Sequence, residues 1–220
     1  MTIDIDFSVL PPAQRALWPE LRLLPSGFVL YGGTAVALRL GHRVSVDFDF
    51  FATDGFDPFA LRHALGVLGE GQILRAEPDT LTLRLDRGGE VKLSCFGGIC
   101  GRVEQPDTSK DGVVSVASAL DLLAHKLKVV LQRAEGRDYQ DIAALLRSGI
   151  ALEQGLGAAA TLFAPGFPVQ DSAKALTYFD DLSEPWRLKP EDREMLVAAA
   201  AEIGTEIPAV PLASRQLHSP

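Results

Sequence analysis

The chain has 220 residues, 47% of them hydrophobic and 23% charged. These proportions exclude disorder, collagen and coiled coil as the main architecture and leave ample material for a core. With 21 basic against 29 acidic residues the net charge is −8, which disfavours a nonspecific coat on duplex nucleic acid, because that binding rests on neutralising phosphates. The excess is uneven: residues 1–150 carry 16 basic and 19 acidic side chains, and residues 151–220 carry 5 and 10. A local basic surface therefore fits in the first part. Cys95 and Cys100 make no disulfide framework, and with four dispersed histidines no zinc site. The start, MTIDIDFSVLPPAQRALWPE, has no basic leader, and no apolar run approaches the roughly 20 residues that span a bilayer. A cytoplasmic location without membrane partners is expected.

In chain order, residues 11–24 predict a short helix led by Pro11-Pro12, with Leu17, Leu21 and Leu24 on one face. Residues 27–31, GFVLY, fit a short buried strand. Gly32-Gly33-Thr34 follows at once, and AVALRLG begins a helix. Residues 44–51, VSVDFDFF, alternate as a strand does. A helix over 57–68 has Pro58 in its first turn, where the missing N–H does no harm. Three strands are predicted at 72–77, 81–86 and 90–96, the last two joined by the hairpin signal Arg87-Gly88-Gly89. Residues 101–112 read as a polar linker. Ser118 is a good N-cap, with Asp121 in a weak form of the capping box. From there the period is helical, with further helices at 137–148, 151–163, 171–181 and 190–203. The tail from 205 has three prolines and no period. Trp18 and Trp186 are read as packing residues, Cys95 as a buried strand residue and Cys100 as a loop residue.

The stretch YGGTAVALRLGHRVSVDFDFF, residues 31–51, carries the chemistry. A strand ends in two glycines and a threonine where a helix begins. Glycines admit close backbone approach, and a helix N-terminus favours a phosphate. Asp47 and Asp49 then stand at i and i+2 of a strand and share one face. Two adjacent carboxylates repel and raise each other's pKa. A divalent cation removes that cost, and two carboxylates with phosphate oxygens make a seat for Mg²⁺. An isolated pair of this kind is usually a solvated edge-strand feature; the Gly-Gly-Thr turn at this spacing sets this one apart.

These residues resemble the nucleotidyltransferases of the DNA polymerase β-like superfamily, and most closely the AbiEii/AbiGii toxin family of abortive-infection and toxin–antitoxin systems. The matching positions are Gly32, Gly33, Thr34, Arg43, Ser45, Asp47, Asp49, Phe50 and Phe51. The family's later motifs match Lys92 in EVKLSCF, Lys126 in ALDLLAHKLKVVLQR, and Arg137, Asp138 and Asp141 in GRDYQDIAALL. The resemblance covers about residues 26–148 and implies an α+β fold: a small mixed β-sheet core with flanking helices, then a C-terminal helical unit. It divides the chain into a nucleotidyltransferase-like core at 1–116, a helical domain at 117–204 that completes the site, and an extended or disordered tail at 205–220.

The resemblance implies transfer of a nucleoside monophosphate from an NTP to an acceptor such as RNA or tRNA, with Mg²⁺ on Asp47 and Asp49. A cognate antitoxin is the implied partner. Gly32, Gly33, Thr34, Arg43, Ser45, Lys92 and Arg137 are the implied nucleotide-binding positions. Lys126 would neutralise phosphates, and Asp138 or Asp141 would orient it or act as base. Without the family, Lys126 reads as a snorkelling surface cation. Asp138 and Asp141 lie at the start of an inward-packing helix face, where an acid needs a cation such as Lys126 or Arg137. One departure stands out. Ser94 occupies the strand position where the superfamily places a third carboxylate, and Glu90 has the right parity four residues away. Two alternatives therefore stay open: a nucleotide- or partner-binding module that has lost catalysis, and a transferase acting on a small molecule of the aminoglycoside type.

Overall fold

The computed structural model of the chain describes residues 1–99, 101–182, 188–204 and 206–218. The readings of Cys100 and Trp186 lie outside the described residues. In chain order the elements are β1 (Thr2–Ile3), α1 (Pro12–Leu17), β2 (Val29–Tyr31), α2 (Gly32–Leu40), β3 (Asp47–Phe51), α3 (Pro58–Ala64), β4 (Gln72–Glu77), β5 (Thr80–Asp86), β6 (Glu90–Phe96), β7 (Asp107–Ser109), β8 (Ser115–Val116), α4 (Ala119–Val129), α5 (Gly136–Arg147), α6 (Leu152–Leu162), α7 (Val169–Ala175) and α8 (Pro190–Ala201). The fold is α+β, with one mixed sheet in the order β1-β7-β8-β2-β3-β6-β5-β4.

Local chemistry sets most boundaries. Pro12 and Pro58 occupy the first helical position of α1 and α3. The Asp57 carboxylate caps α3 by accepting from the Ala60 amide at 2.7 Å. Ser118 caps α4 through the Asp121 amide at 3.0 Å. The Asp121 carboxylate does not close a capping box; it accepts from the amides of Val103 and Glu104, both at 3.0 Å. Asp86 accepts from the amides of Gly88 and Gly89 and closes the β5–β6 turn, where Gly88 has φ 76°.

The strand period sorts the faces of the sheet. Phe48 and Phe50 of β3, with Leu93 and Cys95 of β6, point to one side and are almost fully buried. Trp18 packs there, its ring 6.3 Å from that of Phe48, and its indole N–H donates to Asp111 at 2.7 Å. Asp47, Asp49 and Phe51 point to the other side, where α2 contacts β3, α4 and α5.

The segment read as a polar linker contains β7, which pairs with β1 in parallel and with β8 antiparallel. Strands of two or three residues carry no detectable period, and their pairing uses backbone groups that every residue has. Residues 206–218 lie back on the molecule. The Arg102 guanidinium donates to the carbonyls of Gln216 and Leu217 at 2.8 Å, and the Leu217 amide donates to the Thr53 hydroxyl at 2.8 Å.

Candidate active site

The register places the acidic strand beside its partners. β3 and β6 run parallel with Asp47 opposite Lys92, Asp49 opposite Ser94 and Phe51 opposite Phe96. Directly paired residues share a face, so these six line one cleft of about 680 Å³. β2 is antiparallel to β3 with Tyr31 opposite Asp49, and the chain turns at once into α2. Gly32 adopts φ 71°, a conformation that favours glycine. A Cβ there would stand 2.8 Å from an Asp49 carboxylate oxygen, and one on Gly33 would stand 2.2 Å from an Arg43 guanidinium nitrogen. The glycines thus bring a helix N-terminus, with its unpaired amides, against a carboxylate on one side and a guanidinium on the other.

Asp49 is half-buried, and its carboxyl is raised above the usual range by burial, with the Asp47 charge adding to the effect and Lys92 opposing it. The Ser94 hydroxyl hydrogen-bonds to it. The Lys92 ammonium stands 3.1 Å from Asp47 and is itself 41% exposed. Thr34 and Ser45 are buried. Their hydroxyls share a 2.8 Å hydrogen bond, and Thr34 also donates to the Asp47 carbonyl. Both hydroxyls therefore tie α2 to the start of β3.

A second charged cluster lies beneath. The Lys126 ammonium is buried between Asp138 at 2.7 Å and Asp141 at 2.5 Å. Asp138 also accepts from Arg133 at 2.9 Å. Asp141 accepts two hydrogen bonds from Arg43, at 2.6 and 2.9 Å, and meets His42 at 2.8 Å. Burial pushes both carboxyls up, but Lys126 and the other partners outweigh it and hold both below the usual range. Arg137 pairs with Glu135 at 2.6 Å and also lines the cleft.

Gly32, Gly33, Thr34, Arg43, Ser45, Asp47, Asp49, Lys92, Lys126, Arg137 and Asp138 thus come to one cleft, while Asp141 lies below it. The cation that answers the inward acids is Lys126, not Arg137. Glu90 stands away from the cleft, paired with Arg84 on β5. Arg75, Arg133, Phe96 and His125 also line the cleft and were not singled out from sequence. For Phe96 the signal was present, since it has the strand parity of Lys92 and Ser94. The described lining carries six cations, Arg43, Arg75, Lys92, Lys126, Arg133 and Arg137, against three acids, in a chain of net charge −8.

Residues 15–166 match the family described as nucleotidyl transferase AbiEii toxin, type IV toxin–antitoxin system. The chain belongs to the AbiEii family. It is a family of nucleotidyltransferase toxins, and the match spans the Gly-Gly-Thr turn, both aspartate pairs and Lys126. A protein of uncharacterized function from Aquifex aeolicus (strain VF5) is 34% identical over 122 residues, 54% of this chain and 58% of that protein. The fold is similar to that of MenT4, a nucleotidyltransferase toxin from Mycobacterium tuberculosis, with TM-score 0.58, 16% identity, and 88% and 86% of the two chains covered. It is also similar to JHP933 from Helicobacter pylori, with TM-score 0.52, 16% identity, and 86% and 89% covered. No helix among the described residues is long and apolar enough to cross a membrane.

Proposed function

We propose that this AbiEii chain is a Mg²⁺-dependent nucleotidyltransferase that moves a nucleoside monophosphate from an NTP onto an RNA hydroxyl, with tRNA as one such acceptor, and that a cognate antitoxin restrains it. The observation that carries the reading is the contact between the Gly32 turn and Asp49. It makes a helix N-terminus and a carboxylate pair open into one cleft in which cations outnumber acids.

The donor set fits Mg²⁺, which is usually held by one or two carboxylates together with substrate phosphates. Asp47 and Asp49 supply those carboxylates, and burial with the neighbouring Asp47 charge makes the ionised form of Asp49 costly, a cost that a cation would offset. Among the described residues no group of three or more His, Cys, Asp or Glu side chains could hold a metal, so phosphate oxygens would complete the shell. When bound, the ion stabilises charge on the entering and leaving oxygens.

In this reading the amides of Gly33 and Thr34 receive the terminal phosphates, and Lys126, Arg43 and Lys92 offset their charge. The acceptor oxygen forms a bond to the α-phosphorus as the bond to the bridging oxygen breaks. Pyrophosphate leaves, and the acceptor proton passes to solvent. Asp138 and Asp141, buried and held at low pKa by their cations, are poor bases and act as positioning residues for Lys126 and Arg43. Ser94 supplies no carboxylate, so transfer is slow rather than absent, since a general base typically contributes about 10²–10⁴ in rate.

Incubation of the chain with each labelled NTP, Mg²⁺ and total RNA tests the proposal. Label on RNA is expected for at least one NTP. NTP binding with no transfer to RNA, or transfer to an aminoglycoside-type acceptor instead, would replace it with the corresponding alternative.

A further inference from the structure

Three rows of paired residues cross the face of the sheet that carries the cleft floor. Asp47, Lys92 and Arg84 form the first, Asp49, Ser94 and Thr82 the second, and Phe51, Phe96 and Thr80 the third. The first two rows are polar and charged; the third has no charged member. Because β2 runs antiparallel to β3 and enters α2 beyond Tyr31, the Gly-Gly-Thr turn lies toward the Asp47 row. Phe51 lies on the opposite side of Asp49, one strand repeat or about 7 Å away. Helix α4 reaches both halves, with Lys126 acting on Asp49 and the His125 ring 5.5 Å from that of Phe51.

We infer that the base of the incoming nucleotide sits in the aromatic half, against Phe51, Phe96 and His125, and that His125 determines which base is preferred. This rests on the nucleotidyl-transfer reading and adds which half of the cleft takes which part of the substrate. Phe51, Phe96 and His125 are each partly exposed into the cleft. Phe96 meets Phe51 edge to face at 5.5 Å. A phosphate gains nothing among these rings, whereas every base has a π-face that stacks on them.

The His125 ring is fixed by its neighbours. Its centroid is 4.7 Å from that of Tyr31, 5.5 Å from Phe51 and 5.0 Å from Phe163, which meets it edge-on. Burial, with a smaller effect of the Lys128 charge, lowers its pKa to about 3, so the ring is neutral at physiological pH. A neutral imidazole offers one donor and one acceptor. Among the described residues no protein group hydrogen-bonds that ring. A held, neutral imidazole that opens on the cleft beside a stacking surface discriminates bases by the pattern on their edges, because a mismatched edge that displaces water leaves polar groups unpaired.

The test separates the two halves with two probes. Dissociation constants for the four NTPs and for inorganic tripolyphosphate are measured by calorimetry on the full chain with Mg²⁺. At least one NTP is expected to bind about tenfold or more tightly than tripolyphosphate. His125→Ala and Phe96→Ala should each remove about tenfold of NTP affinity and leave tripolyphosphate binding unchanged. His125→Ala should also level the ranking among the four bases, and His125→Gln, which keeps a donor and an acceptor, should retain part of it. Phe96→Leu keeps the apolar volume and should still lose affinity for NTPs alone. Retained tripolyphosphate binding shows that a variant is folded. Equal affinity of wild type for NTPs and tripolyphosphate, or variants that weaken both probes alike, would overturn the inference while leaving nucleotidyl transfer standing. If wild type binds neither probe, both readings fall.

Discussion

Two pairs of closely spaced aspartates meet at the cleft, one on its floor and one buried beneath it, and the chain treats them in opposite ways. Asp47 and Asp49 on β3 face the cleft with one half-exposed lysine beside them, and the Asp49 carboxyl is raised. Asp138 and Asp141 on α5 are fully buried, share Lys126, and draw in Arg133, Arg43 and His42; both are lowered. Residue type and spacing are similar, so the difference lies in the supply of protein cations. The helix pair is neutralised from within and fixes the scaffold. The strand pair keeps one partly exposed lysine and opens on a cleft whose lining has more cations than acids, a setting that suits a cation carried in with a polyanion.

The sharpest way to break that contrast is Asp49→Asn. Mg²⁺-dependent NTP binding and transfer should fall by about a thousandfold or more, through loss of the metal seat, with no loss of thermal stability. Calorimetry beside a melting curve reads both; unchanged NTP affinity would show that the strand pair is not the metal seat. Asp141→Asn should act first on stability. Leaving Lys126 and Arg43 short of a buried partner costs about 3–4 kcal/mol of stability, read from urea unfolding at pH 7.

The pH dependence has opposite signs for the two pairs. Asp141 is lowered, so the stability it contributes is present above its unfolded pKa and is lost as pH falls through the folded one. Asp49 is raised, so its ionised form opposes folding at neutral pH, and that cost shrinks as pH falls through its folded pKa and is gone below the unfolded one. The deficit of Asp141→Asn against wild type should therefore shrink in acid, and so should any stability advantage of Asp49→Asn. Parallel unfolding titrations of the three proteins check this.

Two smaller effects sharpen the comparison. Ser94 pairs with Asp49, so Ser94→Asp puts a third carboxylate at the strand pair. Transfer with Mg²⁺ should rise about tenfold, while stability without Mg²⁺ should fall by about 1 kcal/mol. Unchanged transfer in that variant would mean that a missing base does not limit the rate. Lys92→Met removes the nearest cation from the strand pair. Stability should move by less than about 1 kcal/mol, as for other partly exposed pairs, and the Asp49 titration followed by NMR should shift further upward.

Much of this arrangement was legible because it depends on short-range periods. Strand parity put Asp47 and Asp49 on one face, and did the same for Lys92 and Ser94. The helical period exposed Asp138 and Asp141 as acids on an inward face that needed a cation. What periodicity cannot reach is a pairing of distant residues. Arg43 and Asp141 are 98 positions apart, and no local signal couples them; the loop holding His42 and Arg43 could equally have been a solvated turn. Arg133 lies beyond the end of α4, outside its stripe. β1, β7 and β8 are too short to carry a pattern, and their place in the sheet follows from the chain around them.

The Arg43–Asp141 clamp also sets when the cleft comes into being. Gly33, Arg43, Asp47 and Asp49 leave the ribosome early, but the carboxylate that holds Arg43 follows 98 residues later, roughly 5–20 s at ordinary rates of synthesis. Lys126 likewise lacks both aspartate partners until α5 has emerged and docked. A nascent or prematurely terminated chain that stops short of α5 therefore carries the whole Gly-Gly-Thr and Asp-Phe-Asp motif without an assembled cleft. In the nucleotidyl-transfer reading, such an unfinished copy would carry the motif without the activity.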